Sequence, residues 1–166
     1  MMADLDLVLE RTLDAPVDLV WEAYTNPEHL KRWFAPKPYE ISEIELDLRP
    51  GGIFRIRMVG PDGFDTGHGN AGCVLEVKDR EKLVWTSALA PGFRPAQLAV
   101  EGCESFPMTA IITFADAGNG KTLYRAVALH KNPADKETHE KMGFHDGWGT
   151  TASQLEALAR SLGVNA

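Results

Sequence analysis

The sequence is poor in cysteine, with two residues in 166, Cys73 and Cys103, far apart and without metal-ligand spacing. That scarcity excludes a disulfide scaffold and a zinc ribbon, and it points to free thiols in a reducing cytoplasm. Long apolar runs are also missing. No window approaches the roughly 20 apolar residues a membrane-spanning helix needs, and no positively charged, apolar N-terminal stretch marks secretion. The expected protein is soluble and cytoplasmic, with no membrane partner. Basic charge is in short supply too: 17 Lys and Arg against 24 Asp and Glu give a net charge of -7. Such a surface repels phosphate backbones and anionic lipids, and the pairs Lys31–Arg32 and Arg55–Arg57 are too small to override it. Nucleic acid is therefore not an expected partner. There is no internal repeat, linker or low-complexity tract, so residues 1–166 are expected to form one domain, long enough to bury a real core.

What is present is periodicity. Residues 5–13 alternate apolar and polar, as a strand with one buried face should. Pro16 is placed at a first helical position, ahead of Val17, Val20, Trp21 and Tyr24 at helical spacing. Asn26, Pro27 and Glu28 repeat the start signal ahead of Leu30, Trp33 and Phe34, predicting a second short helix ended by Pro36 and Pro38. Alternating runs follow from Ile41, Ile53, Gly72 and Leu83, then from Met108 to Phe114 and Thr122 to Leu129, separated by turn residues, in the manner of an antiparallel meander. The aperiodic apolar stretch from Pro91 to Gly102 is expected to be a lid or cavity rim. From Asn132–Pro133 to Gly163 the pattern predicts one long helix, with Trp148, Ala152, Leu155, Ala159 and Leu162 on one stripe and Glu156 facing water. Gly143, Gly147 and Gly149 predict that its first half is kinked or closely crossed by a strand.

The segment from Arg11 to Phe34, RTLDAPVDLVWEAYTNPEHLKRWF, resembles the opening of the START-like, or SRPBCC, superfamily. Residues 47–55, DLRPGGIFR, and 145–148, HDGW, are similar to the branch named for the activator of heat-shock protein 90 ATPase. The resemblance runs from Leu7 to Leu162. It implies an α+β helix-grip fold: a curved antiparallel sheet of about six to seven strands, two short helices, and a long C-terminal helix over an apolar cavity. It also implies architectural roles for Pro16, Trp21, Trp33, Gly51, Gly52 and Trp148. Activity does not follow, because the superfamily includes lipid carriers, cyclases and chaperone regulators on one architecture.

Chemistry-bearing residues are few. His145 stands one turn before Trp148 and His130 stands where the last strand meets the long helix; either could face the cavity, or be a packing and an exposed residue respectively. His29 and His139 read as solvated helix faces, and His68 as a hairpin or bulge residue. No pair of histidines has metal-ligand spacing. Gly67, Gly69 and Gly72 lack the lysine and helix start of a phosphate loop and more simply permit a strand bend. Ser87, Ser105 and Ser153 lack elbow glycines, so no covalent nucleophile is expected. Alternation on the third strand puts Phe54, Ile56 and Met58 opposite Arg55 and Arg57, which makes the cavity side apolar.

The expected function is binding of a small hydrophobic or aromatic ligand, without metal or cofactor, by Trp33, Phe54, Met58, Trp85, Phe93, His130, Phe144, His145, Trp148 and Ala152. Two alternatives come from other classes: a cyclase-like enzyme using general acid and base chemistry in the cavity, and an interaction module with a chaperone partner. A homodimer is compatible with the pattern.

Overall fold

The computed structural model describes residues 4–67, 71–97 and 106–164. Cys103, His68, Gly69, Ser105 and the second half of the expected lid lie outside the described residues. The alternating start becomes β1 (Asp6–Leu13), with Leu7, Leu9 and Leu13 buried. Helices α1 (Val17–Thr25) and α2 (Pro27–Trp33) follow. Pro16 stands one position earlier than expected, as the N-cap of α1. Asn26 caps α2, its side chain accepting a hydrogen bond from the Glu28 amide at 3.0 Å, with Pro27 at the first helical position, where its missing N–H costs nothing.

The meander comprises β2 (Glu40–Leu46), β3 (Ile53–Val59), β4 (Gly72–Lys78) and β5 (Lys82–Thr86), followed by a small hairpin of β6 (Leu89–Ala90) and β7 (Arg94–Pro95). Strands β8 (Thr109–Gly118) and β9 (Lys121–Leu129) complete it. Seven strands form one antiparallel sheet in the order β1-β9-β8-β5-β4-β3-β2. The first and second strands therefore lie on opposite edges, and α1 and α2 carry the chain from one edge to the other. Register shifts in β2 after Ile41 and in β4 after Val74 increase the local twist and help the sheet curl. Among the described residues, strands β3 and β4 pair at Ile53 with Cys73 and at Phe54 with Gly72. At the far end of β3, the Thr66 amide donates to the Met58 carbonyl at 3.0 Å and Val59 bridges Asp65, so the chain after β3 folds back along it.

The predicted single helix is two: α3 (Pro133–Lys141) and α4 (Phe144–Val164). Gly143, at φ +95, makes the break, a backbone conformation in which a side chain would be strained. The kink is found at Gly143; a Cβ at Gly143 or Gly147 would meet nothing within 4 Å, whereas one at Gly149 would lie 3.3 Å from the guanidinium of Arg11 on β1. The stripe on α4 is as expected: Ala152, Leu155 and Ala159 are buried, with Trp148 and Leu162 partly buried against the same core. That core also takes Ala110, Ala126 and Ala128 from β8 and β9, small residues that let a helix approach the sheet closely. Glu156 is not a free surface residue. Its carboxylate accepts a hydrogen bond from the Asp14 amide at 2.8 Å, tying α4 to the end of β1.

Candidate functional site

Between β3, which contributes Phe54, Ile56 and Met58, and the junction where α3 gives way to α4, the fold leaves a cavity of about 610 Å³. One wall is Phe54 stacked on Trp85, ring centroids 4.4 Å apart and 5° from parallel, with Phe34 edge-on to Phe54 at 5.8 Å. The Trp33 ring is fixed by its Nε1 donating to the Ala23 carbonyl at 2.8 Å and by a tilted contact with Tyr24 at 4.9 Å. The far wall is Phe144 and Trp148 at the start of α4, centroids 4.5 Å apart. Ile56, Met58 and Met108 fill in between. A Cβ at Gly72 would fall 2.8 Å from the Thr86 carbonyl oxygen, so the strand contact that frames the opening needs glycine.

Six of the residues expected at the site do line this cavity: Trp33, Phe54, Met58, Trp85, Phe144 and Trp148. Four do not. Phe93 is 51% exposed and folds over the hairpin turn, its ring 2.9 Å from where a Cβ of Gly51 would be, because Gly92 at φ +76 turns the loop back onto that edge. Ala152 lies one turn too deep, in the core beneath α4. His145 points away from the cavity, its side chain 57% exposed and 3.8 Å from Glu140. His130 is buried behind the lining rather than at an exposed strand end.

The histidine that does reach the cavity is His139, which the charged sequence of α3 disguises as a solvated face. It is half-buried, packed edge-on against Phe144 at 5.3 Å and Trp148 at 5.9 Å. Its Nδ1 lies 2.9 Å from Nε2 of His130, whose Nδ1 lies 2.9 Å from the carbonyl oxygen of Leu5. Burial, and then the neighbouring His130, lower the His139 pKa to about 4. Two further polar side chains went unrecognised as lining, Tyr24 and Tyr124, with ring centroids 6.5 Å apart. Burial pushes both phenols well up, although the Trp85 N–H and Tyr124 near the Tyr24 oxygen act the other way on Tyr24. That indole N–H still has no hydrogen bond of normal geometry. Strand alternation on β9, which buries Thr122, Tyr124 and Ala126 together, is the signal that could have located Tyr124.

Three further lining hydroxyls are committed to the protein. Thr86 and Ser87 both donate to the Met108 carbonyl, and Thr151 donates to that of Trp148. Among the described residues no group of three or more His, Cys, Asp or Glu side chains could hold a metal ion, and no helix is long and apolar enough to cross a membrane. Cys73 is buried as a free thiol.

Among curated proteins none matches this chain. A crystal structure of a Nitrosomonas europaea protein is 46% identical, covers 99% of each chain and superposes with a TM-score of 0.87. A Mycobacterium smegmatis protein is 25% identical over 93% of this chain and 90% of its own, with a TM-score of 0.72. A Rhodobacter sphaeroides protein, 16% identical over 96% of this chain and 95% of its own, shares the fold with a TM-score of 0.77. Residues 14–160 match the family described as "Activator of Hsp90 ATPase homolog 1-like protein". With that match across most of its length, on a curled seven-stranded sheet gripping a long C-terminal helix, the chain belongs to the Activator of Hsp90 ATPase homolog 1-like family of the SRPBCC superfamily.

Proposed function

We propose that this protein binds a small apolar or aromatic molecule in the cavity beneath the start of α4. Family membership suggests a ligand-binding or interaction module. The observation that carries the narrower reading is the cavity itself, about 610 Å³, within the range of small-molecule sites and walled by converging rings and methionines. Its lining hydroxyls on Thr86, Ser87 and Thr151 already donate to backbone carbonyls, so desolvating them costs little. Two of the exposed large apolar side chains, Phe64 and Met142, are lining residues, which supports a ligand entrance rather than a separate docking face.

One observation favours a second reading, general acid and base chemistry: the hydrogen-bonded His130–His139 pair. A histidine with a pKa of about 4 is a weak base, however, and proton transfer works best when the catalytic pKa lies near the working pH. Binding is therefore the stronger reading.

The test is Gly147→Leu. Gly147 lines the cavity in helical backbone, and a Cβ there meets nothing within 4 Å. Leucine should grow into the open space while restoring about 1 kcal/mol of helix propensity. The expected outcome is a variant at least as stable as the parent that binds naphthalene and an apolar fluorescent dye tenfold or more weakly. A stable variant with unchanged binding overturns the cavity as the ligand site.

A further inference from the structure

The chain Leu5–His130–His139 fixes where the hydrogens sit. The Leu5 carbonyl oxygen can only accept, so Nδ1 of His130, 2.9 Å away, carries a hydrogen and donates it. Neutral His130 then has its lone pair on Nε2. Nδ1 of His139, 2.9 Å from that nitrogen, must in turn be the donor. Neutral His139 is left with its lone pair on Nε2, the ring nitrogen not turned to His130, in a side chain that lines the cavity. Among the described residues nothing donates to that nitrogen. The lining hydroxyls of Thr86, Ser87 and Thr151 have their hydrogens on carbonyls and cannot.

We propose that the cavity selects apolar ring compounds bearing a hydroxyl, such as phenols, and that His139 Nε2 accepts the hydroxyl hydrogen, its lone pair oriented by the relay through His130 to the Leu5 carbonyl. This inference rests on the cavity reading above and adds the chemical class of ligand. His130 is a positioning residue: it is buried behind the lining and acts only by deciding which nitrogen of His139 holds the hydrogen. The lowered pKa of His139 fits this role, since burial keeps the ring neutral and its lone pair available near neutral pH, while so weak a base does not deprotonate a phenol. The ring is held upright for the contact by Phe106, Phe144 and Trp148, at centroid distances of 5.2, 5.3 and 5.9 Å.

The experiment compares naphthol, its methyl ether and naphthalene by calorimetry or tryptophan quenching, on the parent, His139→Phe and His130→Phe. Naphthol should bind the parent about tenfold more tightly than the ether, the difference one buried hydrogen bond makes. His139→Phe should erase that preference while still binding naphthalene, and His130→Phe should reduce it. Nitrogen NMR of the ligand-free parent should place the His139 hydrogen on Nδ1, with His130→Phe releasing it to Nε2, an effect a merely space-filling His130 would not have. Equal binding of naphthol, ether and naphthalene overturns the hydroxyl selection and leaves the cavity reading intact. No binding by any of the three overturns both. A His139 hydrogen found on Nε2 in the parent overturns the relay, whether or not either variant folds.

Discussion

Nε2 of Gln154, on α4, donates to the carbonyl oxygen of Trp33, at the end of α2, at 2.8 Å. The same nitrogen donates to the Ala35 carbonyl at 2.8 Å, and the Gln154 Oε1 accepts from the Lys37 amide at 3.1 Å. One side chain thus satisfies the C-terminal end of α2 and the first residues after it, where backbone groups lack helical partners. That staple sets Trp33, Phe34 and Pro36 along the cavity wall, 117 or more residues away in sequence from the glutamine that holds them.

Gln154→Ala should therefore destabilise by about 2 to 3 kcal/mol, since it strands two carbonyls and an amide that water reaches incompletely. Apolar dye binding should weaken along with it, because the wall loses its anchor. Gln154→Glu should be at least as damaging, with a carboxylate opposite two carbonyl oxygens. Denaturant melts beside dye titrations check both; a surface-like change under about 0.5 kcal/mol would count against the staple.

Stability should fall on acidification through the titration of His139. Its folded pKa of about 4 lies below the ordinary 6.5, so between those values the unfolded chain binds the extra proton and stability rises with pH. The contribution is complete above the unfolded value and is lost as pH falls toward the folded one. From about pH 7 to about pH 5 the loss should be on the order of 2 kcal/mol. His139→Phe should flatten this part of the pH profile, whatever its own effect at neutral pH. Urea melts at several pH values measure the slope directly.

Leu155→Ala should cost about 2 to 5 kcal/mol, as it deletes a fully buried group from the centre of the α4 stripe and leaves a void. Glu156→Ala should cost about 1 kcal/mol rather than nothing, through loss of the hydrogen bond from the Asp14 amide. Paired denaturant melts at neutral pH should rank Leu155 well above Glu156, and both above a change at exposed Ala157.

Much of the architecture was legible because its causes are local. Alternation in β1 and β3, the Asn26-Pro27-Glu28 start of α2 and the stripe from Trp148 to Leu162 each depend on residues within a turn or two of one another. The same periods put Phe54 and Met58 on one strand face and Trp148 on the sheet-facing stripe, and all three line the cavity. The glycines near Trp148 signalled a disturbance but not its kind. Whether Gly143 bent the helix or admitted a strand depended on what passed nearby, and only its φ of +95 with empty surroundings settled it.

The tertiary structure alone decided the rest. Ala152 shares the stripe of Trp148, yet one turn moves it from cavity to core, where it is fully enclosed in the main hydrophobic cluster. His139 sits among charged neighbours on α3, and nothing within that helix marks it. Its significance comes from Leu5, Phe106 and His130, brought together by the antiparallel pairing of β1 with β9 and the turn into α3. Local periodicity says which way a side chain points from its own element. Which side chains then meet is fixed by how the strands pair across the sheet and where the helix breaks.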